Sequence, residues 1–127
     1  MYYYYIMIDL NKIKNIAVIG ASANPDKFGN KIMVNLINRG FNVFPVNPKG
    51  GKILNRDVYM SLNDLSEDVE LLNIVTPPDI SMDILKKANN LDFKNVWLQP
   101  GAENEEIIEY LKDNNFEYIV QACIMIT

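Results

Sequence analysis

The residues with the plainest chemical potential lie in two short loops. Gly20-Ala21-Ser22 follows an apolar run, and Gly29 stands where a helix opens. A glycine at a strand end lets backbone pass close to a ligand, and the free N–H groups and positive end of a following helix favour an anion. The spacing departs from G-x-G-x-x-G, because Ser22 holds the second glycine place and the loop is stretched through Pro25. A plain turn with Ser22 capping backbone is the competing reading; a position at the point where the winding of the sheet reverses favours a phosphate. Lys27 could neutralise a pyrophosphate there or simply be solvated. A branched residue at Gly20 is expected to remove anion binding and spare the fold, since the loop lies outside the core.

The second loop reads Val46-Asn47-Pro48-Lys49, with Lys52 close behind and no acid before Asp57. Enzymes that use a nicotinamide dinucleotide usually hold the ribose hydroxyls with Asp or Glu about 20 residues past the glycine loop. A cationic loop instead suits a ribose with an extra phosphate, which leaves NADP or coenzyme A. The turn residues Asn47-Pro48 and Gly50-Gly51 explain the same loop without a ligand.

Other chemistry is excluded or weak. The chain has no histidine, so imidazole bases, phosphohistidine and histidine metal ligands are absent, and one cysteine cannot build a zinc site or an internal disulfide. A single thiol also fits a reducing cytoplasm. Glu103, Glu105 and Glu106 resemble an acid/base cluster but sit where a helix's first turn favours acids without catalysis. Tyr59, Tyr110 and Tyr118 occupy apolar patterns. Cys123 reads as a packed thiol, the alternative being a mixed disulfide with a ligand thiol. No catalytic and no metal-binding residue is assigned.

Alternating elements must position these loops. Residues 14–20, 41–46, 71–75, 95–98 and 118–120 read as five strands, and residues 30–38, 80–90 and 104–114 as amphipathic helices; a short helical turn falls near residues 62–65. Ile32, Met33, Leu36 and Ile37 face inward on the first helix, Ile84, Leu85 and Ala88 on the second, and Ile107, Ile108 and Leu111 on the third. Met33, Met82 and Met125 are read as packing residues. Strands alternating with helices imply right-handed βαβ units, hence an α/β, Rossmann-like, doubly wound parallel sheet of order 3-2-1-4-5. Its ligand belongs beyond the carboxyl ends of the strands, where the winding reverses. Gly20, Pro25, Pro48, Gly50, Gly51, Pro77, Pro78, Pro100 and Gly101 all fall in the loops leaving those ends.

Several linked motifs, in order, resemble one family. These are residues 16–22 with Pro25, F-N-V-F-P-V-N-P-K at 41–49, V-T-P-P at 75–78 and V-W-L-Q-P-G-A-E at 96–103. The chain resembles the stand-alone CoA-binding domain proteins, which are similar to the CoA-binding domain of succinyl-CoA synthetases and ADP-forming acyl-CoA synthetases. The resemblance implies a Rossmann-like fold and coenzyme A as ligand. It implies that Gly20, Ala21 and Ser22 meet the phosphates, with Lys27 nearby, and that Val46, Asn47, Pro48 and Lys49 flank the adenosine end. Thr76, Pro77, Pro78, Gln99 and Gly101 would line the path of the pantetheine arm.

With 127 residues, the chain holds one α/β domain, residues 14–127, preceded by an apolar extension, residues 1–13, that carries four consecutive tyrosines. That extension has neither the basic leading region of a signal peptide nor the length of a membrane span. A formal charge of -4 and scattered lysines argue against nucleic acid. The expected function is therefore binding of coenzyme A or an acyl-CoA in the cytoplasm, without membrane association and without catalysis of its own. An NADP-dependent oxidoreductase and a CoA-binding subunit of a multi-chain acyl-CoA synthetase are the alternatives. A homodimer or an unidentified protein partner is compatible with either.

Overall fold

The structure, a computed structural model, describes residues 8–127. The four tyrosines, expected as a tail, lid or dimer contact, lie outside the described residues. Five strands form one parallel sheet: β1 (Asn15–Ile19), β2 (Asn42–Val46), β5 (Leu71–Ile74), β6 (Asn95–Leu98) and β7 (Glu117–Ile119). Between them run α1 (Phe28–Asn38), α2 (Pro78–Asn90) and α3 (Glu105–Asp113).

Residues along each strand point alternately to opposite faces. Ile16 and Val18 pack with Ile32, Met33 and Leu36 of α1, whereas Ala17 and Ile19 pack with Leu85, Ala88, Ile107 and Leu111 of α2 and α3. Both faces of the sheet are therefore covered, which is why its strands read as continuous apolar runs. Met33 is fully buried, and Met82 and Met125 pack against the two clusters. Ile8 is buried in the α1-side cluster, so the end of the N-terminal extension joins the core.

The spatial order is β2-β1-β5-β6-β7. The 3-2-1-4-5 pattern is present with one reassignment. A single parallel bridge, Val46 to Tyr59, holds the third place outside β2. The segment at Leu71–Ile74, read from sequence as the third strand, takes the fourth place beside β1. The winding consequently reverses between β1 and β5. Pro45 is accommodated in β2 because that strand lies at the sheet's edge, where a missing N–H is tolerated.

Boundaries moved for local reasons. α1 starts at Phe28 and takes Gly29 into its first turn. α3 starts after Asn104, whose Oδ1 accepts from the Ile107 N–H at 2.8 Å as an N-cap. The short turn at Leu62–Asp64 is a 3-10 helix. A small antiparallel hairpin, β3 (Lys52–Ile53) and β4 (Arg56–Asp57), turns at Leu54 and Asn55 with φ of 49° and 64°. Strands of two residues are too short to show an alternation, so the sequence pattern does not reveal this hairpin.

At the amino ends of the central strands, Glu70 clamps β1 to the start of β5: its Oε1 accepts from the N–H groups of Lys14 at 2.8 Å and Asn15 at 2.9 Å. These two donors hold the Glu70 carboxyl below its ordinary value of 4.5. A carboxylate whose pKa is lowered by folding stabilises the fold above its unfolded pKa, and loses that contribution as pH falls through the lowered value. Thermal unfolding measured from pH 7 to pH 3 should thus show Glu70→Gln less stable at neutral pH, with the difference from wild type shrinking in acid. A constant difference across that range would remove the carboxylate's role.

Candidate functional site

The β1–α1 loop is shaped by two glycines. Gly20 has φ +97°, a conformation that side chains rarely adopt, and a β-carbon there would lie 3.1 Å from the Val75 carbonyl oxygen. Gly29 is buried in the first turn of α1, and a β-carbon on it would overlap the carbonyl oxygen of Gly20. The helix can approach the strand end so closely only because Gly29 has no side chain.

Two asparagines hold the loop from behind. Asn47 Nδ2 donates to the Ala21 carbonyl at 2.8 Å, and Asn30 Nδ2 donates to the Ser22 carbonyl at 2.9 Å. In a trans peptide the N–H points opposite to the C=O, so the N–H groups of Ser22 and Ala23 face away from these anchors. Ser22 Oγ accepts from the Asn24 N–H at 3.1 Å, which stiffens the turn. α1 then begins without a side-chain cap and without an acid in its first turn, with exposed Lys27 at the N-cap position. Backbone donors, the helix end and a cation converge, and they suit an anion.

The second loop is tied to the first. Gly20 N–H donates to the Val46 carbonyl at 3.1 Å, and Asn47 Oδ1 accepts from the Lys49 N–H at 2.8 Å. One residue, Asn47, therefore couples both loops. Pro48 and Lys49 are exposed beside them. Lys52 pairs with Asp57 at 3.0 Å across the hairpin, so its charge is partly matched within the protein.

A cavity of about 540 Å³ continues the crevice beyond the ends of β5 and β6. Thr76, Pro77 and Pro78 form one wall with Val75, and Gln99, Pro100, Gly101 and Ala102 form the other; Phe28 of α1 closes the side toward the phosphate loop. No lining residue is ionisable. The α2 end at this cavity differs sharply from that of α1: Pro77 and Pro78 remove N–H donors and Asp79 occupies the first turn. The start of α1 thus favours an anion, and the cavity beside α2 an uncharged group.

The residues singled out from sequence come together on this one edge, though not all offer side chains. Ala21 and Val46 are buried, leaving their backbone to contribute. Gln99 is 1% exposed, and its carboxamide is committed beneath the cavity. Its Oε1 accepts from Asn73 Nδ2 at 3.1 Å and from the Ile124 N–H at 3.0 Å, while Nε2 donates to Cys123 Sγ at 3.1 Å. Cys123 is half-buried, held by this contact rather than packed fully into the core. Thr76 Oγ1 and Ser81 Oγ are 2.9 Å apart, and Ser81 Oγ also donates to the Thr76 carbonyl. Phe28 and the anchoring roles of Asn30 and Asn47 were not legible beforehand. The one usable sequence signal is that Phe28 is the sole aromatic residue between Gly20 and Gly29.

A second cleft, of about 480 Å³, lies at the opposite edge, where β5 and β6 begin. Asp9, Glu67, Glu70 and Asp92 outnumber Lys12 and Lys94 in its walls, an arrangement that repels phosphate. Among the described residues no group of three His, Cys, Asp or Glu could hold a metal ion, and no helix is long and apolar enough to cross a membrane.

Comparison with known proteins bears on this geometry. A family model described as CoA binding domain matches residues 14–127. The chain is 26% identical to the uncharacterized protein YneT of Bacillus subtilis, over 92% of this chain and 87% of that protein. It is 39% identical to the alpha subunit of acetate–CoA ligase (ADP-forming) I of Pyrococcus furiosus, over 83% of this chain and 25% of the subunit. The chain thus spans about a quarter of the ligase subunit's length. Among solved structures, a conserved hypothetical protein from Pyrococcus furiosus superposes with a TM-score of 0.87 at 42% identity, covering 89% of this chain and 97% of that one.

Proposed function

The chain belongs to the CoA-binding domain family, and from that premise we propose that it binds coenzyme A or an acyl-CoA along the carboxyl edge of its sheet and performs no chemistry alone. The observation that carries this reading is the division of the crevice into an anion-favouring loop at α1 and an uncharged cavity at α2. Coenzyme A is divided likewise, into a phosphorylated nucleotide and a neutral amide arm. The diphosphate would meet the N–H groups of Ser22 and Ala23 and the start of α1, with Lys27 beside it. Asn47, Pro48 and Lys49 would flank the adenosine end, and Thr76, Pro77, Pro78, Gly101 and the wall at Gln99 would guide the pantetheine arm. A cavity of about 540 Å³ falls within the usual range for small-ligand sites, roughly 300–1,000 Å³.

Titration calorimetry with coenzyme A, dephospho-CoA and NADP tests this directly. Coenzyme A should bind about tenfold or more tightly than dephospho-CoA, because a charge-assisted contact of Lys49 with the 3′-phosphate contributes roughly 1.5–3 kcal/mol. Lys52, paired with Asp57, should contribute less. Equal affinities would remove the lysine role, and a preference for NADP would favour an oxidoreductase. The similarity to a ligase alpha subunit supports a second reading, in which this domain presents coenzyme A to a partner that supplies the acyl-activating chemistry. Co-purification with tagged protein, followed by a ligase assay of the complex, would distinguish it.

A further inference from the structure

We propose, resting on the reading above in which the β5–β6 cavity guides the pantetheine arm and so receives its thiol end, that this end discriminates against acyl groups bearing a carboxylate. Free coenzyme A and neutral short acyl thioesters such as acetyl-CoA bind; malonyl-CoA and succinyl-CoA bind more weakly. The lining of the cavity holds no ionisable residue, so a buried carboxylate would find no cation there. Its rim is acidic. Glu103 Oε1 accepts from the N–H of Gly101, itself a lining residue, at 3.2 Å, which fixes that carboxylate at the cavity wall. Asp79 stands in the first turn of α2, directly after lining Pro78, and Glu105 and Glu106 open α3.

No lysine or arginine occurs between residues 75 and 85 or between 95 and 111. Of the cations next to the lining, Lys27 before Phe28 belongs to the phosphate loop and faces the diphosphate in this reading, with Asp26 beside it, and Lys31 stands one turn further along α1, on the phosphate-loop side of the crevice. An acyl carboxylate would therefore either be desolvated without a partner or emerge among like charges. Two unit charges about 4 Å apart in water repel by enough to weaken binding roughly fivefold.

Calorimetry at low salt with coenzyme A, acetyl-CoA, malonyl-CoA and succinyl-CoA decides the matter. The first two should bind with similar affinity and the last two at least about fivefold more weakly. The gap should narrow as salt is raised, and again in the double variant Asp79→Asn/Glu103→Gln, which keeps oxygen acceptors in place and removes two charges. Malonyl-CoA and succinyl-CoA binding as tightly as acetyl-CoA at low salt would overturn the proposal. A gap indifferent to both salt and the double substitution would still support the discrimination, assigning it to desolvation in the uncharged lining rather than to the acidic rim. Failure of coenzyme A itself to bind would instead refute the functional reading, and the selectivity would fall with it.

Discussion

Gly29→Ala should abolish measurable coenzyme A binding and lower the melting temperature together. The added methyl carbon would overlap the carbonyl oxygen of Gly20, which is backbone and cannot swing aside as a flexible side chain can. The first turn of α1 must then retreat from the end of β1. Forcing a group into a packed site costs roughly 1–3 kcal/mol. The same retreat withdraws the helix end from the anion position. Losing two charge-assisted hydrogen bonds, each worth roughly 1.5–3 kcal/mol, weakens binding by about two orders of magnitude or more. Thermal denaturation and calorimetry on one preparation provide both readouts, and wild-type values for both would mean that the loop does not depend on this contact. Gly20→Val does not isolate binding, contrary to the expectation from sequence alone. With φ at +97° and Val75 O and Thr76 Cγ2 within 3.1 and 3.2 Å of a β-carbon, a branched residue there is strained whatever the ligand does.

Asn47→Asp should weaken coenzyme A binding by about ten- to a hundredfold in a protein that still folds. The substitution replaces the donor that holds the Ala21 carbonyl with an acceptor, so oxygen faces oxygen at a contact now 2.8 Å long. It also places a negative charge behind the loop that receives the phosphates. An interaction of this kind is worth roughly 1.5–3 kcal/mol when lost. The fold should survive because Asn47 is only half-buried and the new carboxylate can still accept from the Lys49 N–H. Asn47→Ala separates the two effects: it removes the latch without adding charge, so its defect should be smaller and less sensitive to salt. Circular dichroism checks the fold. Unaltered affinity in folded Asn47→Asp would place the phosphates away from this loop.

The five sheet strands, the three helices and the gathering of the glycine and proline loops on one edge were legible in the sequence. Each rests on a local rule. A strand covered on both faces must be apolar along its length, as residues 16–19 are, and a loop that needs unusual backbone geometry must use glycine or proline. The absence of histidine was equally plain, since residue identity needs no structure. What the sequence could not determine depends on contacts between distant residues. Placing the Leu71–Ile74 strand beside β1, with only the Tyr59 bridge outside β2, is a matter of which edges pair, and the apolar pattern of both segments is the same either way. The family resemblance makes Gln99 a lining residue, and it borders the cavity, but that its carboxamide is committed to Asn73, Ile124 and Cys123 is visible only in the structure. Asn47 read as a turn residue or as one flanking the adenosine end of a ligand, yet its amide also reaches back across 26 positions to Ala21. Hydrogen bonds between residues so far apart leave no periodicity in the chain, because their geometry exists only after the sheet has brought the two loops together.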